Sequence, residues 1–421
     1  VNLPALHYQQ QTLYLDDVAL PSIAHQFTTP CFVYSKRTLL QAWQAYRDAF
    51  AGQDALICYA MKANSNLSLL KLLVDAGAGM DIVSGGELER ALLAGCPPER
   101  IVFSGVGKTV TEMHRALEVG IHCFNVESSA ELDRLSAVAT RMGKTAAVSL
   151  RINPDVDAGT HPYISTGLKG NKFGIAHAEA LATYRKAASL PGLQVVGIDC
   201  HIGSQLTELS PFIDALDRLL SLVDQLAAEG IVLQHVDMGG GIGICYDAET
   251  PPPVRDYAQA IAERLAGRGL KLVLEPGRAI VGNAGVLLTR VEFLKQGETK
   301  NFAIVDAAMN DLIRPALYEG WHQVLPVEQQ EGLPERVYDV VGPVCESADF
   351  LAQDRTLAIR AGDLLAIGSA GAYGMAMSSN YNSRVRAAEI LVDGDRVQLI
   401  RQRETLAQML ACEQACLPEA G

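Results

Sequence analysis

Three residue types, at three places along the chain, could together do chemistry. Lys62 closes an apolar run, Leu56-Ile57-Cys58-Tyr59-Ala60. Gly239-Gly240-Gly241 follows His235-Val236-Asp237-Met238, and Glu275 with Arg278 follows Leu272-Val273-Leu274. A lysine amine can bond a carbonyl carbon, and adjacent glycines can turn backbone N–H groups toward an anion. A carboxylate can hold a protonated ring nitrogen. Pyridoxal 5'-phosphate (PLP) has an aldehyde, a phosphate and a pyridine nitrogen, one partner for each. PLP bound at Lys62 is the first chemical expectation.

Other polar residues also stand at the ends of apolar runs: Asp81 and Ser84, Ser104, Asn125 and Glu127, Arg151 and Asn153, His201 with Ser204. Two motifs mislead. Gly105-Val106-Gly107-Lys108-Thr109 resembles a phosphate loop, but the pattern needs glycine where Val102 stands. Gly239-Gly240-Gly241-Ile242-Gly243 lacks the G-x-G-x-x-G spacing and does not follow an opening strand. Asn66-Leu67-Ser68 fits a glycosylation sequon, which is irrelevant without secretion.

The elements that must position these residues show a period. Short β-branched runs at 56–60, 80–83, 101–104, 123–126, 147–152, 195–200, 235–238 and 272–275 alternate with helical patterns. Ser128-Ser129-x-Glu131 has the character of a helix start. Eight such units suit an α/β fold with a closed (β/α)8 TIM barrel, usually about 250 residues long. A doubly wound open sheet is the alternative. In a barrel, function gathers at the C-terminal ends of the strands, where these polar residues fall. After Gly282 the pattern turns to strands and turns, predicting a mostly antiparallel β-sandwich or β-barrel domain. The expected boundaries are 35–282 for the PLP-binding barrel, with 1–34 and 283–421 forming a discontinuous β domain.

The chain has 421 residues, 49% hydrophobic and 20% charged. Its 35 basic and 48 acidic side chains give a net charge of −13, which disfavours nucleic acid and anionic membrane surfaces as partners. Nine cysteines are scattered without C-x-x-C or zinc spacing, so reduced thiols, mostly in the core, are expected. No metal site is expected. Cys412 and Cys416 are read as an i,i+4 packing pair on a C-terminal helix. With no export signal at Val1-Asn2-Leu3-Pro4, a cytoplasmic protein is expected.

Tyr59-Ala60-Met61-Lys62-Ala63-Asn64, His201-Ile202-Gly203-Ser204-Gln205, Gly239-Gly240-Gly241 and Glu275-Pro276-Gly277-Arg278 resemble the successive motifs of the alanine-racemase-like, fold-type III PLP decarboxylases. Asn171-Lys172-Phe173-Gly174 adds a further block. Met309-Asn310-Asp311-Leu312-Ile313-Arg314-Pro315-Ala316-Leu317-Tyr318 and Cys345-Glu346-Ser347-Ala348-Asp349 are similar to the diaminopimelate decarboxylase branch of that family. The resemblance covers nearly the whole chain.

It implies that Lys62 holds PLP covalently, Glu275 pairs with the pyridine nitrogen and His201 stacks on the ring. Ser204, Gly239, Gly240, Gly241, Pro276, Gly277, Arg278 and Tyr373 would surround the cofactor, mainly its phosphate. Arg278, Arg314, Tyr318 and Tyr373 would contact substrate, with Arg278, Arg314 and Tyr318 on its distal carboxylate and Glu346 on its distal ammonium. Cys345 would act from the second subunit of a homodimer and protonate the reacting carbon. Asp81 resembles a residue near the lysine in relatives.

The implied reaction is decarboxylation of meso-2,6-diaminopimelate to L-lysine and CO2. The substrate's distal end is a zwitterion, and two arginines plus a glutamate complement it. Decarboxylases of ornithine, arginine or carboxynorspermidine are the nearest alternatives, and same-fold racemases fit the later motifs poorly. A catalytically dead binding homologue would not need Lys62, Glu275 and Cys345 together.

Overall fold

Eight short apolar runs become the strands of a closed parallel barrel. They span Ala55–Ala60, Gly79–Ile82, Ile101–Phe103, Cys123–Val126, Ala146–Asn153, Leu193–Asp199, His235–Asp237 and Lys271–Leu274. Each pairs in parallel with the next, and the eighth pairs with the first, so no edge remains. Ring closure overturns the open-sheet alternative. The structure is a computed structural model that describes residues 3–156 and 172–418. Asn171 of the expected Asn171-Lys172-Phe173-Gly174 block lies outside the described residues.

Local chemistry sets where the connecting helices begin. Ser84, Thr109 and Ser128 cap helices Gly85–Leu93, Val110–Val119 and Ser129–Arg141, each side chain accepting a backbone N–H three residues on. Each cap of this kind stabilises its helix by about 1 kcal/mol. Ser84 was a candidate strand-end site residue; the structure makes it a cap. Thr109 forms a full capping box with Glu112. Lys108 is buried, its ammonium 2.8 Å from Glu131, 2.8 Å from Gly105 O and 2.6 Å from Asn125 O. Those contacts engage all three of its donors and make it an internal clamp.

Inside the barrel, Leu56, Cys58, Val102, Cys123, Val196 and Val273 pack into an apolar floor. Side chains alternate along a strand, so the residue two positions onward points to the same face. Ser104, Asn125 and Glu275 therefore stand one layer above Val102, Cys123 and Val273. Oil below and polar groups above give the barrel a chemically distinct C-terminal end.

The chain divides into two compact units, one being Leu40–Ile244 with Glu249–Ile280 and the other the remainder of the described chain. In the second unit, Gly285–Gln296 pairs antiparallel with Cys31–Ser35, Asn301–Val305 and Leu364–Ile367. Strands Arg336–Val341, Phe350–Leu357, Ala388–Asp393 and Arg396–Arg401 extend the sheet to both sides. Two of its pairings, 301–305 with 336–341 and 31–35 with 388–393, are parallel; the rest are antiparallel. A small meander, Leu6–Gln9, Thr12–Leu15 and Val18–Ala19, packs its leucines into the same unit's core.

Five cysteines are buried as expected, Cys245 is half-buried, and Cys345, Cys412 and Cys416 are exposed. The expected packing pair at the C-terminus is overturned. Helix Leu406–Gln414 ends before Cys416 and buries none of its residues. Among the described residues, no helix is long and apolar enough to cross a membrane.

Candidate active site

Lys62 sits in a single 3-10 turn, Met61–Ala63, directly after the first barrel strand. Its ammonium lies 3.6 Å from Asp81 Oδ2 on the second strand, and its side chain keeps 37% exposure while that of Asp81 has none. The amine is thus held by one buried carboxylate and still reachable. Burial is the main force raising the Asp81 carboxyl above its ordinary range, with the Lys62 charge opposing it.

Glu275 follows the eighth strand and is 4% exposed. Its Oε1 accepts hydrogen bonds from Asn125 Nδ2 at 3.1 Å and Ser104 Oγ at 3.2 Å. Asp199 and Asp237, at the ends of the sixth and seventh strands, complete a buried carboxyl set with one oxygen from each of the three within 4.8 Å of the others. Burial first, then the charges of Asp237, Asp81 and Asp199, push Glu275 well above the usual carboxylate range. Asp237 is raised to about 6, chiefly by burial, against the bond that Gly239 N–H donates to it at 2.8 Å. Of the nearby cations, Arg151 is engaged by Glu127 at 2.9 Å. This part of the barrel carries more acid than base, so a cation placed against Glu275 would be stabilised.

The seventh strand ends in the three glycines, and neighbouring backbone fills the space a side chain would need. A Cβ on Gly240 would stand 2.2 Å from Glu275 O, and one on Gly241, at φ +119°, would stand 2.5 Å from Gly203 O. Close packing of the sixth, seventh and eighth strand ends therefore demands glycine here. The three N–H groups do not act as one cradle. Gly239 donates to Asp237 and Gly240 donates to His201 Nδ1 at 3.3 Å; of the three, the Gly241 N–H meets no acceptor among the described residues.

His201 is held beside Gly240 as a neutral ring, because burial and the charges of Lys62 and Arg151 push its pKa well below the ordinary value. Arg278 is buried and points Nη2 and Nε at Ser204 Oγ, 3.0 and 3.3 Å away. Pro276 O accepts the Ala60 N–H at 3.0 Å, and Gly277 packs against Ala60, tying the eighth-strand loop to the Lys62 turn. The barrel thus brings together Lys62, His201, Ser204, the three glycines and 275–278. These residues fit PLP: a reachable amine, a neutral flat ring, an arginine–serine pair with an open N–H for phosphate, and an acid set that stabilises a protonated nitrogen.

The remaining expected residues belong to the second unit. Arg314 opens the one-turn helix Arg314–Tyr318 and is buried, whereas Tyr318 at its end is half-buried. Cys345 and Glu346 are exposed on the loop after Arg336–Val341. Asn382 Oδ1 accepts the Cys345 N–H at 2.8 Å, and Tyr381 Oη reaches Glu346 Oε2 at 3.5 Å. Asp349 anchors that loop by accepting N–H groups of Val344 and Met309 at 2.7 and 2.6 Å. Tyr373 follows Leu364–Ile367 at φ +56°, a backbone conformation that costs a non-glycine residue about 1 kcal/mol or more.

Sequence reasoning passed over Asp199 and Asp237 as strand residues. A charged residue at the end of each of three successive apolar runs was the available signal.

Residues 36–282 match the family model described as pyridoxal-dependent decarboxylase, pyridoxal binding domain. The chain belongs to the pyridoxal-dependent decarboxylase family. Relatives in that family include the diaminopimelate decarboxylase of Pseudomonas aeruginosa, 61% identical over 98% of this chain and 99% of its own, and that of Vibrio cholerae, 57% identical over 98% and 99%. Among solved structures, the Helicobacter pylori diaminopimelate decarboxylase complexed with L-lysine superposes with a TM-score of 0.91 at 44% identity, covering 94% of this chain and 100% of that one. The M. jannaschii enzyme, also with L-lysine, gives 0.93 at 38% identity over 98% of each chain. PLP is the cofactor of this family, and these decarboxylases share both units of the fold with this chain.

Proposed function

We propose that this chain decarboxylates meso-2,6-diaminopimelate to L-lysine and CO2, using PLP. The observation that carries the reading is the buried acid set behind Glu275, opposite a reachable Lys62 amine. When bound, the cofactor's protonated ring delocalises the electron pair left on carbon after CO2 departs.

The chain's own groups do the rest. Lys62 would anchor the cofactor through its amine. Glu275, backed by Asn125 and Ser104, would hold the protonated ring nitrogen, and neutral His201 would lie against the ring. Ser204, Gly241, Gly277, Arg278 and Tyr373 hold the phosphate. Arg278, Arg314 and Tyr318 hold the substrate's distal carboxylate, and Glu346 holds its ammonium. The Cys345 thiol would supply the proton that takes the place of the departing carboxyl group on the α-carbon. Cys345 would serve the partner subunit's centre in a homodimer with active sites at its interface, and a reducing cytoplasm suits the free thiol that this role needs. Support for the reaction comes from the overall similarity to diaminopimelate decarboxylases at 46–61% identity, and the residue roles follow from the motif resemblance in the sequence.

The test is to incubate the purified protein and PLP with meso-diaminopimelate, ornithine, arginine or lysine, and measure CO2 and products. Turnover of diaminopimelate alone is expected. Turnover of ornithine with none of diaminopimelate overturns the reading.

A further inference from the structure

Arg314 does not stand alone in its unit. Its Nη1 lies 2.7 Å from His322 Nε2, and His322 Nδ1 lies 2.8 Å from Gly368 O. Tyr246 lays its ring against the guanidinium, with Cζ 4.3 Å from the centroid, and meets the His322 ring edge-on at 5.3 Å. Arg314, His322 and Tyr246 are 6%, 1% and 6% exposed.

The donor and acceptor inventory fixes the proton. A carbonyl oxygen only accepts, so Nδ1 must carry hydrogen toward Gly368. A guanidinium only donates, so Nε2 must offer its lone pair to Arg314. His322 is therefore a neutral imidazole in one tautomer. A neutral acceptor fixes the plane of the guanidinium without cancelling its charge, which an aspartate or glutamate at 322 would do. The Tyr246 face adds cation–π attraction and blocks rotation out of that plane. Gly320 lies beside the guanidinium, where an added Cβ would stand 3.4 Å from Arg314 Cζ.

We propose that His322 and Tyr246 are positioning residues that set the orientation of Arg314 and thereby the enzyme's preference for a substrate bearing a distal carboxylate. This rests on the reading above that Arg314 binds that carboxylate. A planar fork binds a carboxylate through two parallel bonds only when its orientation is held, so loss of either support weakens binding more than it slows chemistry.

The experiment uses the PLP-loaded enzyme and compares inhibition by L-lysine, which retains the carboxylate, with inhibition by 1,5-diaminopentane, which lacks it. His322→Phe keeps a ring and removes the acceptor. It should raise KM for diaminopimelate and the inhibition constant of L-lysine about tenfold, with kcat changed less than about threefold and diaminopentane unaffected. His322→Gln, which keeps an acceptor, should recover most of the loss. If His322→Phe does not fold, Tyr246→Leu must give the same carboxylate-selective weakening.

Arg314→Gln separates the two readings. If it leaves the L-lysine to diaminopentane ratio unchanged, the assignment of Arg314 to the carboxylate fails. If it collapses the ratio while the folded 322 and 246 variants preserve it, only the positioning role is overturned.

Discussion

Asp237 and Glu275, on neighbouring barrel strands, share one amide: Asn125 Nδ2 lies 3.4 Å from Asp237 Oδ2 and 3.1 Å from Glu275 Oε1. With Asp199 beside them, three buried carboxyl groups face one another, and full ionisation of all three would be costly. Burial and mutual repulsion favour protonated carboxyls here, and a cation set against them would relieve that cost, as a protonated pyridine nitrogen would.

That arrangement makes the cofactor-free protein pH-sensitive. Asp237 has a folded pKa of about 6, above its ordinary 3.8. The native state therefore binds the proton more tightly than the unfolded chain. The stabilisation is fully present below the unfolded pKa and is lost as pH rises through the folded value. Asp237→Asn cannot titrate and keeps an acceptor for Gly239. Between about pH 4 and about pH 7, the cofactor-free variant should lose less stability than the wild type, by about 1–3 kcal/mol. Urea denaturation across that range measures it, and parallel curves for the two proteins would refute the shared-proton account.

The barrel was legible because its strands are buried on both sides and read as continuous apolar runs, eight times over. Lys62, His201 and Glu275 were legible because polar residues at apolar strand ends stand out. Asp237 was passed over because it is the last residue of the strand His235–Asp237 and reads as part of the apolar run; the carboxyls it faces come from other strands. His322 and Tyr246 are 76 residues apart in numbering, and only the fold brings them to Arg314. Ser84 misled because a helix cap and a strand-end site residue occupy the same place in a β/α unit. The glycine run was found for a partial reason: two of its three N–H groups serve the protein itself.

Lys62→Ala removes the amine beside Asp81. The variant should lose the visible absorbance of covalently held PLP and turn over more slowly by on the order of 10³ to 10⁶. An absorbance spectrum and a CO2 assay check both. Retention of the wild-type spectrum would remove Lys62 from the anchoring role.

Cys345→Ala should behave differently. The residue is exposed on a loop anchored by Asp349, so the fold and the bound cofactor's spectrum should be preserved. Turnover should fall by about 10² to 10⁴, the usual worth of a positioned proton donor. Full activity in this variant would assign the proton to another group.

Lys108 tests whether the failed phosphate-loop motif has a structural meaning. The residue is 3% exposed, its ammonium is bonded to Glu131 and two carbonyl oxygens, and Glu131 Oε2 in turn accepts the Glu127 N–H at 2.9 Å. Lys108→Met would leave Glu131 as a buried carboxylate without its cation. Breaking one side of such a pair costs about 3–5 kcal/mol. Lys108→Met combined with Glu131→Leu removes both charges and should recover most of that loss, because the penalty lies in the uncompensated charge. Urea midpoints of the two variants and the wild type decide it. Equal destabilisation in the single and double variants would show that the lysine's carbonyl contacts, and not its charge, hold the loop.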